Sequence, residues 1–249
     1  IIIMKKVKIL KSLINEISLD QFIEKILTSR KLKVAVCNAN SLVRSYKNIE
    51  LLEIMNNFDI SLPDGFPVAK ASSLLYKNKQ KRVDGYKIFN ETIKRGLKQN
   101  TSHYFFGNSE EVVDKLITKF KNLYPNINIA GHSCPPILSV DELLEDVYIN
   151  DIIEKNPDII WFSFGFPKQE MLIHKISSKN LTGANLVGVG FAFEWTAGTK
   201  YKAPEFIANI GLEWVLRLIQ EPKRLYKRYF VDNFLFILYF IKQLTLEKR

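Results

Sequence analysis

The chain has 249 residues, of which 47% are hydrophobic and 12% aromatic, enough to bury a sizeable core and more than a disordered linker carries. Its formal net charge of +10 suits an anionic partner such as a phospholipid, a diphosphate or a nucleic acid. Cys37 and Cys134 are the only cysteines, too few for a disulfide framework; a single bridge stays open, and a reducing cytoplasm is the simplest compartment.

Residues 1–10 are broken by lysines and lack the long apolar stretch of a secretory signal. Short strands are expected at Lys33–Cys37 and at residues 58–62, the second ending at Pro63-Asp64-Gly65. A helix should follow from Pro67, since proline is well tolerated in a first helical turn. From residue 101 strands and helices alternate. Strands are expected at 103–106, 127–131, 158–164 and 186–190, and helices at 110–123, 141–155 and 168–176, with another helix after Pro204. This alternation predicts an α/β fold, a parallel sheet with crossover helices, in which ligands bind beyond the carboxyl ends of the strands.

The glycines at those ends, Gly107, Gly165, Gly188 and Gly190, could let backbone amides approach a phosphate, or could simply make turns. No dinucleotide fingerprint or Walker A sequence accompanies them. Asp64, between Pro63 and Gly65, could take a proton from a sugar hydroxyl or could cap its own turn. Arg82, Lys168 and Gln169 are candidates for diphosphate or sugar contacts, the competing reading being solvated loop residues. Glu194 could accept hydrogen bonds from a ribose or could equally be an exposed carboxylate. His103, His132 and His174 show no ligand spacing and there is no Asp-x-Asp pair, so no metal or other cofactor is expected. Ser163 sits in Phe-Ser-Phe-Gly, which is not a nucleophile elbow.

The C-terminal region reads as a basic, aromatic, helical appendage over residues 210–249, following a core at 1–209. Arg217, Lys223, Arg224, Lys227 and Arg228 face one acid, Glu221, in this stretch. A helix from Pro222 would place Lys223 with Lys227 and Arg224 with Arg228 at i, i+4, a face suited to anionic lipid. The eight-residue apolar run at 234–241 is too short to span a membrane and could either pack on the core or enter the interface.

Taken together, the segments Leu-Pro-Asp-Gly-Phe-Pro-Val (62–68), Arg-Val-Asp-Gly (82–85), Phe-Phe-Gly (105–107), Gly-Phe-Pro-Lys-Gln-Glu (165–170), Gly-Val-Gly (188–190), Ala-Gly-Thr-Lys-Tyr-Lys-Ala-Pro (197–204) and the stretch from Gly211 to Tyr229 resemble, in order, the WecG/TagA/CpsF family, glycosyltransferase family 26. The resemblance implies a Rossmann-like core with a small N-terminal α/β part and an inverting transfer from a UDP-sugar, often of N-acetylmannosamine type, to a polyprenyl-diphosphate-linked sugar at the inner membrane face. It also implies Asp64 as base, Asn38 in the same pocket, and Arg82 and Gln169 near donor or diphosphate. Glu194 stands where the family typically has an aspartate. Val36, Asn40 and Lys87 depart from the family pattern, at a threonine and two usually acidic positions. A catalytically silent nucleotide-binding scaffold and a nucleic-acid module are the alternatives, the latter resting on charge alone. A homo-oligomer stays among the options.

Overall fold

The computed structural model describes residues 4–247, except the side chains of Asn209, Arg224, Lys227, Arg228 and Glu247. A two-residue hairpin joins β1 (Lys6–Ile9) to β2 (Ser12–Asn15). Its turn puts Leu10 and Lys11 at φ 47° and 71°, the left-handed pair that matches the strands' own twist. Next come α1 (Leu19–Thr28), β3 (Lys33–Cys37), α2 (Ala39–Lys47), α3 (Ile49–Asn56), β4 (Ile60–Pro63), α4 (Phe66–Tyr76) and α5 (Gly85–Gly96). The middle of the chain forms β5 (Ser102–Gly107), α6 (Glu110–Leu123), β6 (Asn128–Ser133), α7 (Asp146–Lys155), β7 (Ile159–Ser163), α8 (Lys168–Ser178), β8 (Asn185–Gly188) and α9 (Ala192–Ala197). Four helices end it: α10 (Glu205–Asn209), α11 (Glu213–Gln220), α12 (Pro222–Lys227) and α13 (Asn233–Glu247).

Strands β3 to β8 form one parallel sheet in the order β4-β3-β8-β7-β5-β6, so the expected α/β class with helices flanking a parallel sheet is the fold observed. Period-two alternation sends successive side chains to opposite faces. On one face Ala35, Tyr104, Phe106, Ile160, Phe162 and Leu186 join a cluster that includes Leu42, Met55 and Phe236. On the other, Val34, Phe105, Ile159, Trp161 and Val187 pack with Phe22, Phe89, Phe120 and Phe193. Phe89 sits edge-on to Phe105, Phe120 and Trp161 and stacks on Phe193 at 5.2 Å, geometry that adds roughly 0.5–1.5 kcal/mol per pair beyond area burial.

Boundaries moved where capping or pairing overrode propensity. The helix expected at 141–155 begins only at Asp146, after a 3-10 turn at Glu142–Leu144. The strand expected at 186–190 ends at Gly188, because Val189 and Gly190 both turn their amides to the Phe162 carbonyl. The tail is helical, but α12 stops at Lys227 and a π-helical segment, Arg228–Asp232, intervenes before α13. The side-chain pairings expected between Lys223 and Lys227 and between Arg224 and Arg228 lie outside the described residues.

The last helix divides its apolar residues between two surroundings. Phe236 is buried, Tyr239 lies 4.7 Å from Tyr46 of α2, and the Gln243 side chain bonds the hairpin at Leu10 N and Lys8 O. Phe234, Ile237, Leu238 and Ile241 are each about half exposed or more. The helical run Tyr229–Leu246 is long and apolar enough to cross a membrane by length and composition, although its longest unbroken apolar stretch is short. Its contacts with α2 and the hairpin commit one side of it to protein.

Candidate functional site

The carboxyl edge of the sheet is organised by hydrogen bonds between successive loops. Strand β4 runs parallel to β3 with Cys37 opposite Pro63, and the Asp64 amide donates to the Cys37 carbonyl at 2.8 Å. Gly65 then turns the chain at φ 81°, a conformation that costs glycine little, and α4 begins. The Val83 amide donates to the Pro63 carbonyl at 3.0 Å, which fastens the loop carrying Arg82 and Asp84 beside Asp64. Asp84 caps α5 by accepting from the Lys87 amide at 2.9 Å. Asn38 caps α2 in the same way through the Ser41 amide.

On the other side of the crevice, Ser163 Oγ donates to the Gly190 carbonyl at 2.8 Å and accepts from Asn108 Nδ2 at 3.0 Å. The loops after β5, β7 and β8 are thereby tied together. Gln169 is buried, accepts from the Gly165 amide and donates to Glu170. A Cβ on Gly188 would lie 2.8 Å from Gln169 Nε2, and one on Gly107 would lie 2.9 Å from the Phe164 ring. These two glycines make room for neighbouring side chains, and neither lines the cavities over Asp64. Lys168 also lies off those cavities, with its ammonium over the Phe164 ring at 5.4 Å.

Two cavities meet over Asp64. One, of about 300 Å³, is bounded by Gly165, Gln169, Gly190, Glu194 and the rings of Tyr86 and Trp195. The other, of about 480 Å³, is mostly apolar and is bounded by Phe66, Trp214, Phe230, Phe234 and Ile237. Asn38, Asp64, Glu213 and Arg217 line both. The turn bearing Asp64 and the loops after β7 and β8 therefore converge on one crevice, at the sheet edge where open α/β folds bind ligands.

Electrostatics single out Asp64 within it. Burial pushes its carboxyl up to about 6 from the usual 3.8; the Arg82 and Arg217 cations oppose this, and Asp84 and Glu213 reinforce it. Arg82 is held by Asp84 at 3.0 Å and Glu213 at 2.8 Å, with its Nε 3.7 Å from Asp64. Arg217 spreads its guanidinium over Phe191 at 4.6 Å and Trp195 at 5.2 Å, contacts that orient a cation without neutralising it.

The three departures from the family pattern have structural correlates. Val36 lines the polar cavity. Asn40 donates to Asp232 of the π-helical segment, where a carboxylate would meet a like charge. Lys87 pairs with Glu205 of α10. Lys223 is exposed, whereas the side chains of Arg224, Lys227 and Arg228 lie outside the described residues.

Sequence reasoning missed Asp84, Tyr86, Trp195 and Glu213. The first two adjoin Arg82 within Arg-Val-Asp-Gly-Tyr, so that segment held a signal; nothing local placed Glu213 near them. His103 is structural, accepting from Trp161 Nε1 at 3.2 Å and pushed down to about 4 by burial. The one acid and histidine group among the described residues with mutually close ligand atoms, Glu110, Asp114 and His132, is exposed and lines neither cavity over Asp64. Both cysteines are free.

Fold and crevice together define an α/β protein with a polar pocket at the carboxyl ends of its parallel strands. Residues 7–249 match the Glycosyl transferase WecG/TagA/CpsF family, and the chain belongs to it. It is similar to the N-acetylglucosaminyldiphosphoundecaprenol N-acetyl-beta-D-mannosaminyltransferase of Bacillus subtilis (strain 168), 28% identical over 214 residues that cover 84% of this chain and 80% of that protein. Proteins of the same name from Bacillus spizizenii and Staphylococcus aureus (strain MW2) are 30% and 29% identical. They match 69% and 70% of this chain, and 64% and 66% of their own lengths.

Proposed function

We propose that this glycosyltransferase moves an N-acetylmannosamine-type sugar from UDP to a sugar carried on a polyprenyl diphosphate, with inversion and without a metal ion, at the inner face of the membrane. The observation that carries the reading is the position of Asp64 where a polar and an apolar cavity meet. The polar cavity would take the nucleotide sugar, between the loops after β7 and β8 and the rings of Tyr86 and Trp195. The apolar cavity would take the acceptor's lipid end, so that its sugar hydroxyl meets the donor at Asp64. The names of the relatives supply the sugar and the carrier.

In this reaction the Asp64 carboxylate removes the acceptor hydroxyl proton. The freed oxygen bonds to the anomeric carbon from the face opposite UDP, and the electron pair of the breaking carbon–oxygen bond leaves on the β-phosphate. A carboxyl held near 6 is ionised at neutral pH yet more basic than a free aspartate, which suits general base work. The growing diphosphate charge would be met by Arg217, by Arg82 and by amides of the Gly165 and Gly190 loops. Membrane contact would come from the exposed side of α13 together with Lys223 and the other cations of the tail.

Turnover of UDP-N-acetylmannosamine with a short-chain polyprenyl-diphosphate N-acetylglucosamine, in EDTA, tests the reading. Asp64→Asn should lower kcat by about 10²–10⁴-fold. A strict divalent-metal requirement, or full activity in that variant, would overturn it. The scaffold alternative predicts UDP binding with no turnover across a donor panel.

A further inference from the structure

Within the reading just proposed, Asp64 and Arg82 come from the core, yet the group that holds Arg82 most closely comes from the C-terminal helices. Glu213 opens α11, and its Oε2 lies 2.8 Å from Arg82 Nη2. Delivery of that carboxylate depends on a close backbone approach. Gly211, at φ 83°, lies against the Phe66 ring, so that a Cβ there would meet ring atoms at 3.2 Å. Phe66 is two residues from Asp64, and the docking point of the tail therefore adjoins the base. An acid in a first helical turn is also favoured by the helix dipole, but that preference would be met by a side chain pointing to solvent. Glu213 instead turns inward, lines both cavities and is largely buried.

We infer that Glu213 is a positioning residue that links docking of the C-terminal helices to the base, by clamping Arg82 against Asp84 and holding the guanidinium beside Asp64. Arg82 Nη2 is shared by Asp84 and Glu213, with its Nε 3.7 Å from Asp64. Without Glu213 the guanidinium has one fixed partner, Asp84, and is free to swing fully onto Asp64 and quench it as a base. The charged and titratable groups facing Asp64 are Arg82 and Asp84 from the loop before α5, Glu213 and Arg217 from α11, and the buried Cys37 thiol of β3. Removing the Glu213 charge leaves two cations and one other carboxylate around the base, so its proton affinity falls.

The test uses the full chain with 13C-labelled aspartate and compares the parent with Glu213→Gln, Glu213→Asp and Gly211→Ala. In Glu213→Gln the Asp64 carboxyl titration should move to lower pH. The acid limb of the pH–rate profile should move with it, and kcat should fall about tenfold to a hundredfold with the KM for UDP-N-acetylmannosamine little changed. Glu213→Asp should restore much of the parent profile. Gly211→Ala, which leaves every charge in place, should shift the titration in the same direction as Glu213→Gln. A Glu213→Gln protein that folds and titrates like the parent would overturn the inference, as would a loss confined to KM. The NMR titration needs no substrate. A titration shift without turnover by the parent would sink the sugar-transfer reading alone, and turnover without a shift would sink only the role of Glu213.

Discussion

Replacing Asp64 by asparagine should make the folded protein more stable at neutral pH, and the structure sets the size of the gain. Asp64 is about three-quarters buried, and its carboxyl is held at about 6 against an ordinary 3.8. Because the folded value lies above the unfolded one, stability from the protonated group is complete below about pH 4 and is lost as pH rises through 6. A displacement of about two units at ~1.4 kcal/mol each sets an upper figure of about 3 kcal/mol above pH 7. That value already contains the Arg82 attraction, and solvent screening at a side chain about a quarter exposed lowers the gain to about 1–3 kcal/mol. For a chain of this length that corresponds to a rise in Tm of roughly 2–12 °C. Urea unfolding of parent and variant at pH 4, 6 and 8 reads the difference directly: small at pH 4, most of it present at 6 and full at 8. A variant less stable than the parent at pH 8, or a difference that ignores pH, would refute the claim that ionised Asp64 is held at a cost in the fold.

Three more outcomes are set by contacts around the crevice. Gly188→Ala should cost about 1–3 kcal/mol of stability, because its methyl would strike Gln169, and should raise donor KM as Gln169 leaves the Gly165 amide; unfolding and kinetics check the two halves. Asn40→Asp should loosen the last helices by setting a carboxylate against Asp232, read as faster amide exchange in α13 with the sheet unchanged. Lys87→Glu, which restores the usual acidic character at that position, should repel Glu205 and expose α10 to limited proteolysis while leaving the Asp64 titration in place.

The core of this arrangement was legible because its signals are local. Short apolar runs in Lys33–Cys37 and around Trp161, the latter bounded by Pro157-Asp158 and Gly165, announce buried strands, and the amphipathic stretch Glu110–Leu123 was bounded to the residue. The hairpin was overlooked although Lys6, Val7, Lys8 and Ile9 alternate cleanly, because its turn uses Leu10 and Lys11 in place of the glycine or asparagine that usually marks such turns. Asp64, Gln169 and Gly190 line the crevice as their place in the sequence suggests, because the loop or first helical turn after a parallel strand opens onto that edge of the sheet. Gly107 and Gly188 carry the same signal for another reason, since they are small where a neighbouring side chain must pass. Glu213 was not legible, because its partner lies more than a hundred residues away and the two meet only through Gly211 and Phe66.

A lipid-linked acceptor, as proposed, imposes a requirement of its own. A polyprenyl chain favours hydrocarbon, at about 0.8 kcal/mol per buried methylene, while its sugar must reach a carboxylate in a protein crevice. Phe230, Phe234 and Ile237 line the apolar cavity over Asp64 and are also 62%, 59% and 54% exposed. One row of side chains thus runs from the base to the outer surface of the tail, and Leu238 and Ile241 continue it. Under the proposed function that row would carry the first isoprene units from the bilayer to the cavity. Phe234→Ser with Ile237→Ser should then raise KM for a polyprenyl-linked acceptor presented in anionic vesicles, and leave kcat and KM nearly unchanged for a methyl-diphosphate-linked acceptor sugar in solution, which has no isoprene unit to lay along that row. Equal losses with both acceptors would place these side chains in the packing of α13 and deny them a part in delivering the lipid.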